Sequence, residues 1–292
     1  MKVAVTGGTG FVGSHVVSAL LEQGYQVRLL ARKPQSLRPG MESVLGSMEK
    51  YDSLLELVEG CDAVVHLVGI IREFPPAITY EALHTQATLS MLKAAREKGV
   101  NRFIHMSALG SAPDSRSAYH RTKFVAEKAV QESGLDYTIF KPSVIFGPRD
   151  EFINLLLSFL KLPAIPVIGD GKYQLQPVAV DNIAQAFARC IESPAARGRT
   201  YEVGGPRRYT YDELLDALAA LRGKGKPLKV HQPVSLVDFS ARLFGRFPFF
   251  PISSDQLHML LKGSTTSETA VFDDLNITPC SLEEKFALYY GQ

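Results

Sequence analysis

The chain has 292 residues, of which 46% are hydrophobic and 21% charged, and its formal net charge is +2. This balance is typical of a soluble globular protein and, without a dense run of basic residues, argues against a nucleic-acid partner. The three cysteines, Cys61, Cys190 and Cys280, match no metal-binding spacing, so no metal site is expected and reduced thiols are predicted.

The first predicted element is a short apolar strand that begins at residue 2. It leaves no room for a signal peptide, and no run of about 18 uninterrupted apolar residues indicates a membrane-spanning helix. We therefore expect a cytoplasmic protein, or at most one that is peripheral to the inner membrane.

A glycine-rich turn follows this strand. Gly7, Gly10 and Gly13 have the spacing G-x-x-G-x-x-G, and an apolar helical pattern starts at Phe11. The first glycine permits a tight turn, the second lets a phosphate approach the backbone, and the third lets the helix pack close to the strand. Free N–H groups at the helix N-terminus favour a diphosphate. The stretch predicts a dinucleotide-binding loop; the alternative is a glycine-rich turn without a ligand.

The end of the second predicted strand, residues 25–31, carries information about the cofactor. NAD-binding sites usually have an acidic residue there that accepts from the ribose 2′-hydroxyl. This chain has Arg32 and Lys33 instead, and a guanidinium can pair two oxygens of a 2′-phosphate. NADP(H) is therefore favoured, with NAD(H) possible. The alternative is that both side chains are simply solvated.

Strands and helices alternate through the first half of the chain. After the second strand, the apolar patterns predict strands at 42–46, 63–68, 102–106 and 137–140, and helices at 52–59, 78–98 and 117–133. This alternation indicates a Rossmann-type, doubly wound parallel sheet of the α/β class. After Pro142 the pattern becomes short and mixed. We expect a dinucleotide-binding domain at 1–145 and a smaller lobe at 146–292, with the chain weaving between them.

Tyr119 and Lys123 form a Tyr-x-x-x-Lys pair on the helix predicted at 117–133. Residues four apart lie on one helix face, where a lysine ammonium favours the phenolate form of the tyrosine. Such a tyrosine is a usable acid or base. The same spacing also occurs on ordinary exposed helix faces, but the upstream glycine loop favours the active-site interpretation.

Three segments together resemble the extended or atypical short-chain dehydrogenase/reductase superfamily: TGGTGFVG at 6–13, the Tyr119–Lys123 pair, and KPSVIFGP at 141–148. The likeness is greater to the branch with the nucleotide-binding accessory subunit of mitochondrial complex I and its bacterial relatives, often described as nucleoside-diphosphate-sugar epimerases. The segments typical of that branch are RFIHMSAL (102–109), KPSVIFGPRDEFIN (141–154) and QPVAVD (176–181).

The resemblance implies hydride transfer at a nicotinamide, with Tyr119 as acid or base, Lys123 as its partner and Ser107 polarising the substrate oxygen. It also implies a cofactor site formed by the glycine loop, the strand ends and the helix that carries Tyr119. The implied cofactor-binding residues are Gly7, Thr9, Gly10, Phe11, Val12, Gly13, Arg32, Lys33, Ser47, Met48, Leu67, Val68, Gly69, His84, Met106, Ser107, Tyr119, Lys123, Lys141, Pro142, Ser143 and Val144.

The chain departs from the family pattern at three places. Ser47 stands where relatives often have an aspartate before the adenine, which leaves Met48 to cover the base. His84 stands where extended members have an asparagine. Ala108 occupies the position of the catalytic serine, so Ser107, Ser111 or no residue supplies the hydrogen bond. A missing donor of this kind lowers rates by about two to three orders of magnitude.

The sequence leaves two functions open. One is an NADP(H)-dependent oxidoreductase or epimerase that acts on a nucleotide sugar or a carbonyl or quinone-like compound. The other is a non-catalytic NADPH-binding subunit, structural or redox-sensing, associated with a respiratory-chain or quinone assembly. The phenylalanine-rich stretch 239–252 is either a buried helix and turn or an exposed apolar patch for a protein partner or a membrane surface. The resemblance is also compatible with a homodimer formed through helix 117–133.

Overall fold

The structure, a computed structural model, describes residues 1–245 and 252–291. The strands in these residues are β1 (Lys2–Thr6), β2 (Gln26–Ala31), β3 (Met41–Leu45), β4 (Ala63–His66), β5 (Arg102–Met106), β6 (Asp136–Pro142), β7 (Ile145–Phe146), β8 (Ile165–Ile168), β9 (Gln174–Leu175), β10 (Val178–Ala179), β11 (Arg199–Val203), β12 (Tyr209–Thr210) and β13 (Lys229–Gln232). The α-helices are α1 (Phe11–Glu22), α2 (Tyr51–Val58), α3 (Ala87–Glu97), α4 (Ala118–Gln131), α5 (Phe152–Phe159), α6 (Val180–Arg189), α7 (Tyr211–Leu221), α8 (Val234–Phe244), α9 (Ser254–Lys262), α10 (Ala270–Asp274) and α11 (Leu282–Tyr290).

A seven-stranded parallel sheet has the order β11-β6-β5-β4-β1-β2-β3. The chain winds outward from β1 in both directions, so β1 and β4 flank the point at which the strand order reverses. Parallel sheets of this kind bind ligands at the carboxyl ends of the strands, at that point. The predicted Rossmann-type, doubly wound sheet is confirmed.

The predicted apolar runs supply the centre of the sheet. Val3, Ala4 and Val5 are fully buried in β1, as expected for a strand covered on both faces. The helix after β1 ends at Gly24, whose φ of 83° is the left-handed conformation that glycine adopts freely. The N–H groups of Gly24 and Tyr25 donate to the last turn of α1, which completes the C-terminal cap.

The predicted helix 78–98 differs from the structure in its first part. A π-helical turn at Glu81–Gln86 precedes α3, and His84 lies within that turn. Wide turns of this type are frequent at functional sites because they re-aim a side chain. Here the ring of His84 is directed to Ile70 and Thr122.

The described chain divides into two compact units whose segments alternate along the sequence. The first unit is Met1–Pro142, Val180–Val203 and Glu268–Thr278, and the second is Ser143–Ala179, Gly204–Ser267 and Pro279–Gln292, with 246–251 and 292 outside the described residues. The expected boundary after residue 145 is close to the first crossing. The chain then returns to the first unit because β11 pairs with β6 and α6 packs on α1.

The second unit is the small mixed lobe. Two-stranded pairs β10–β7, β12–β9 and β13–β8 lie beside a core that α5, α7 and α11 share. Asp150 accepts from the N–H of Ile153 in the first turn of α5 at 2.6 Å, and the hydroxyl of Tyr290 bonds to the same carboxylate. None of the described helices is long and apolar enough to cross a membrane.

Candidate functional site

The glycine loop lies directly against the segment that follows β4. Gly7 has a φ of 74°, and a Cβ atom there would be 2.9 Å from the carbonyl carbon of Leu67 and 3.0 Å from the nitrogen of Val68. Neither the conformation nor the space permits a side chain. The structure therefore brings together three residues that were predicted to contact the cofactor.

Gly13 and Gly10 serve different purposes in this loop. A Cβ on Gly13 would be 2.1 Å from the carbonyl oxygen of Gly7, so glycine is required for α1 to approach the strand. A Cβ on Gly10 would meet only that same oxygen, at 3.3 Å, and both Thr9 and Gly10 are exposed. The loop is thus open in front of the helix N-terminus.

The first turn of α1 has backbone N–H groups that can donate hydrogen bonds to a ligand. Gly10 is its N-cap and has no side chain that could satisfy them. In any helix the first N–H groups have no acceptor within the helix, so those of Phe11 and Val12 are available to an anion. The open cradle and these donors fit the diphosphate of a dinucleotide.

The end of β2 carries the two basic residues at the same edge of the sheet, because β1 and β2 are parallel neighbours. Arg32 and Lys33 are exposed, and neither has an ion-pair partner among residues 1–245 and 252–291. Of the two residues predicted to lie near the adenine, Ser47 donates its hydroxyl to Glu49 at 2.9 Å, and Met48 packs partly against the core.

Lys123 is the most unusual side chain of the site because it is a lysine with only 2% of its surface exposed. Its Nζ donates to the carbonyl oxygen of Met106 at 2.9 Å and would be 3.0 Å from a Cβ on Gly69. Burial lowers its pKa to about 8. Lysines are seldom fully buried without a functional reason, since the charged form loses its hydration.

His84 lies on the same side of Gly69 as Lys123, since a Cβ on Gly69 would be 3.6 Å from its Nε2. Its Nδ1 is 2.9 Å from the hydroxyl of Thr122, and its Nε2 is 3.1 Å from both backbone polar atoms of Ile70. Burial, followed by the cation of Lys123, lowers its pKa to about 2, so the ring is neutral. The ring of Tyr119 meets it edge-on with centroids 5.1 Å apart.

Two further histidines, His66 and His105, are buried near Lys123. His66 bonds to Thr6 at 2.7 Å and to Thr88 at 3.1 Å, as expected of a core histidine with local partners. His105 stacks on His66 with centroids 5.6 Å apart, and its ring nitrogens have no hydrogen-bond partner in the described part of the chain. Burial, then the Lys123 cation, lowers the pKa of both rings, that of His66 to about 3. Lys123 is thus beside neutral rings.

The hydroxyl of Ser107 is buried and bonded to protein groups. Its hydroxyl donates to Glu127 at 3.1 Å, and the other oxygen of that carboxylate is 3.4 Å from the Nζ of Lys141. Ser107 is 2% exposed and Glu127 5%. The second candidate, Ser111, donates to the carbonyl oxygen of Ala108 at 2.8 Å. A hydroxyl has one proton to give, and both serines give theirs to the protein.

The remaining predicted residues divide between the two units. Pro142 ends β6 in the first unit, where its carbonyl accepts from the N–H of Leu109 at 3.0 Å. Ser143 and Val144 begin the second unit. There the hydroxyl of Ser143 donates to the carbonyl of Ser264 at 2.7 Å, and the side chain of Val144 packs against the core.

The sequence analysis missed two residues that shape the site. Gly8 is buried, and a Cβ there would be 2.4 Å from a methyl of Leu29. Glu127 was missed although it lies four residues after Lys123, on the same face of α4. That spacing was a usable signal, because Tyr119, Lys123 and Glu127 form one stripe.

Comparisons with known proteins agree with this geometry. The model of the NAD dependent epimerase/dehydratase family matches residues 3–204. The rat mitochondrial NADH dehydrogenase [ubiquinone] 1 alpha subcomplex subunit 9 is 28% identical, covering 96% of this chain and 77% of that protein. Ceramide reductase of Caulobacter vibrioides is 30% identical, covering 79% of this chain and 73% of that protein.

Among solved structures, UDP-glucose 4-epimerase of Thermotoga maritima in complex with UDP-glucose superposes with a TM-score of 0.76 at 23% identity. The alignment covers 99% of this chain and 97% of that one, so the two share a fold. With a matched family model that spans more than half of its residues, this chain belongs to the NAD-dependent epimerase/dehydratase family.

Proposed function

We propose that the chain is an NADP(H)-dependent oxidoreductase that interconverts a carbonyl compound and its alcohol. The observation that carries this proposal is the buried Lys123, one helical turn after Tyr119 and next to Gly69 at the cofactor edge of the sheet. A fully buried ammonium destabilises the fold, so a lysine at this position needs a functional explanation. Acid–base chemistry supplies one, because Lys123 follows Tyr119 by one turn of the same helix.

The residues that would hold the dinucleotide are the glycine loop, Arg32 and Lys33 at the 2′-phosphate, and the segment through Val68 and Gly69. When bound, the nicotinamide ring supplies or accepts the hydride. Tyr119 gives its phenolic proton to the oxygen of the substrate as the carbonyl becomes an alcohol, and takes it back in the reverse direction. The Lys123 cation favours the phenolate that remains.

We further propose a carbonyl or quinone-like substrate rather than a nucleotide sugar. Two basic residues of the second unit that could otherwise bind the diphosphate of a nucleotide sugar are engaged within that unit. Arg207 pairs with Glu283 at 2.9 Å, and Arg208 donates to the carbonyl of Thr266 at 2.8 Å. In addition, a relative that is 30% identical is called a ceramide reductase, whereas the sugar epimerase is similar at the level of the fold.

The test is to follow nicotinamide absorbance while the purified protein is mixed with NADPH and with aldehydes, quinones and nucleotide sugars in turn. We expect turnover with an apolar aldehyde or quinone and net consumption of NADPH. A parallel incubation with NADP+ or NAD+ in place of NADPH tests the epimerase: a nucleotide-sugar epimer detected by chromatography, without net change in the cofactor, would support it and would contradict the substrate class proposed here.

A second candidate is a non-catalytic NADPH-binding subunit of a respiratory-chain or quinone assembly. It is favoured by the complex I relative, which aligns with 96% of this chain, and by the two serine hydroxyls that are turned toward protein acceptors. Bound NADPH that stays unchanged across the whole panel, together with respiratory-chain subunits that co-purify, is the result that would support it.

The cofactor preference gives a separate prediction. Replacing Arg32 by alanine should weaken NADPH binding by about 10- to 100-fold, because a hydrogen-bonded charge pair contributes roughly 1.5–3 kcal/mol. NADH binding should change by less than about threefold. Calorimetric titration of both cofactors measures this difference, with Lys161→Ala, another exposed basic residue, as the control. Equal losses for the two cofactors would contradict the 2′-phosphate assignment.

Ser107 gives another prediction. If Ser107 polarises the substrate oxygen, Ser107→Ala should lower kcat/KM by about 100- to 1,000-fold. Because its proton is given to Glu127, we expect a loss of less than about tenfold, and a similarly small loss for Ser111→Ala. Steady-state values of kcat/KM for both variants test whether either serine polarises the substrate oxygen. A loss of two orders of magnitude in either one would identify it as the polarising group.

A further inference from the structure

The outward surface of α8 is apolar where a surface helix is normally polar. Ala241 is its one buried residue among those described, yet Leu236, Phe239 and Leu243 are 57%, 62% and 49% exposed. These three residues have the spacing i, i+3, i+7, so they form one stripe along the helix. The stripe points to solvent rather than to the core, which is the reverse of the usual arrangement.

The sequence around α8 is also strongly basic. Residues 222–262, from the end of α7 to the end of α9, contain seven basic side chains (Arg222, Lys224, Lys226, Lys229, Arg242, Arg246 and Lys262) and two acidic ones (Asp238 and Asp255). The segment has a formal charge of +5, whereas the whole chain has +2, so the remaining residues carry −3. The positive charge of the chain is therefore concentrated in the segment of sequence that contains α8.

Part of this charge is balanced locally. Arg242 pairs with Asp238 at 2.7 Å, and Lys229 pairs with Asp216 of α7 at 2.7 Å. Lys224 and Lys226 lie in the turn that leads from α7 toward β13; Lys226 is exposed, whereas the Nζ of Lys224 donates to the carbonyl oxygen of Leu160 at 2.7 Å. In that turn and strand, Leu228 and Val230 are also exposed, by 66% and 46%.

We propose that the apolar stripe of α8, which lies in a segment of net positive charge, docks this chain on an anionic lipid surface. Leucine and phenylalanine side chains of an interfacial helix enter the boundary between headgroups and acyl chains. Basic residues beside such a helix are attracted to the negative headgroups. The combination of an exposed apolar stripe with a net positive segment matches both requirements.

The composition favours lipid over a protein partner. Protein interfaces are enriched in tyrosine, tryptophan, phenylalanine, methionine and arginine and are depleted in lysine, so the phenylalanines and arginines of this segment suit either partner and its lysines distinguish the two. The sequence 222–262 has four lysines and neither tyrosine nor tryptophan. The phenylalanine-rich stretch 239–252 continues the apolar character of the stripe in sequence, although its residues 246–251 lie outside the described part of the chain. The inference is independent of which reaction the cofactor site performs.

The test is flotation of the full-length protein with vesicles of phosphatidylcholine alone or mixed with phosphatidylglycerol. We expect binding to the anionic vesicles, at least about tenfold weaker binding to the neutral ones, and loss of binding at high salt. The double variant Leu236→Ser/Phe239→Ser should reduce binding at least about tenfold. Its thermal unfolding should match that of the wild type, since both side chains are exposed.

A matched control is Leu288→Ser, which removes an equally exposed leucine (72%) from α11 of the same unit. This variant should bind anionic vesicles like the wild type. A charge variant, Lys226→Glu, should lose affinity for anionic vesicles but not for neutral ones. Wild-type protein that does not float with anionic vesicles, or an α8 variant that floats as well as the wild type, would overturn the proposal. Concentration-dependent self-association without vesicle binding would also overturn it and would point to a protein occupant.

Discussion

Replacing Tyr119 by phenylalanine is expected to lower kcat by about 100- to 10,000-fold, the range that general acid–base catalysis contributes. The phenylalanine keeps the ring, which packs against His84 and Tyr80 with centroid distances of 5.1 and 5.8 Å. The fold and the affinity for NADPH should therefore change little. The measurement is the steady-state rate of NADPH consumption at saturating substrate, with cofactor affinity measured separately.

The control for this variant is Tyr137→Phe, a half-buried tyrosine on β6 that contacts the core. It removes the same hydroxyl group at a position outside the proposed chemistry and should leave the rate unchanged. A Tyr119→Phe enzyme that keeps its rate within about threefold would remove Tyr119 from the acid–base role. The proposal of an oxidoreductase working through this pair would then fail.

Replacing Lys123 by methionine is expected to stabilise the protein while it weakens the site. Burial of the protonated lysine lowers its pKa from 10.5 to about 8, which corresponds to a destabilisation of roughly 3 kcal/mol. Methionine has a similar length and no charge. The lost hydrogen bond to Met106 offsets about 1 kcal/mol, so the free energy of unfolding near neutral pH should rise by about 2 kcal/mol.

The pH dependence of this gain follows from the direction of the shift. Because the pKa is lower in the folded chain, the unfolded chain holds the extra proton between about pH 8 and 10.5. The stability of the wild type therefore rises across that window, and the advantage of Lys123→Met, present below about pH 8, disappears as the pH approaches 10.5. Denaturant unfolding at about pH 7 and about pH 10 measures it. A variant that is less stable at both pH values would contradict the burial cost assigned to Lys123.

The same variant tests whether the role of Lys123 is structural or functional. If Lys123 favours the phenolate, Lys123→Met should lose turnover although it is more stable, which is the behaviour of an active-site residue that destabilises the fold. Loss of turnover together with loss of stability would instead assign Lys123 a purely structural role.

Local sequence patterns predicted the sheet and the first half of the site well. The apolar run Val3–Val5 in β1, the three glycines and the helix from Phe11 all depend on neighbours within about fifteen residues. Tyr119 and Lys123 could be paired from spacing alone, since α4 forms as predicted and begins one residue after its cap, Ser117. These features are encoded locally.

The environment of Ser107 could not be predicted in this way. Its hydroxyl is directed by Glu127 on α4 and, through that carboxylate, by Lys141 on β6. These residues come together only because β5 and β6 are neighbours in the sheet and α4 covers them. A hydrogen bond between residues twenty positions apart has no periodic signal in the sequence.

The last strand of the sheet was also beyond local patterns. Residues 199–203 form β11, which pairs with β6 in the register Arg199↔Thr138 and closes the edge of the first unit's sheet. Nothing in a five-residue stretch specifies a partner some sixty residues earlier. For the same reason, the exposure of α8 was left open, because an apolar helix can cover a core or face solvent with the same sequence.

The binding of a dinucleotide at the glycine loop is the claim on which the proposed reaction rests, and Gly10→Ala tests it most directly. The backbone of Gly10 has a φ of −76°, which alanine adopts, and the added methyl would meet only the carbonyl oxygen of Gly7. The fold should survive, but the methyl would occupy the open face of the loop. The matched control is Gly225→Ala, where a Cβ would have no atom within 4 Å.

Calorimetric titration with NADPH should show one equivalent bound by the wild type and by Gly225→Ala, and an affinity at least about tenfold lower for Gly10→Ala. Thermal unfolding of both variants without cofactor verifies that they are folded. A wild-type protein that binds neither NADPH nor NADH, or a folded Gly10→Ala variant that binds NADPH as tightly as the wild type, would contradict a dinucleotide site at this loop.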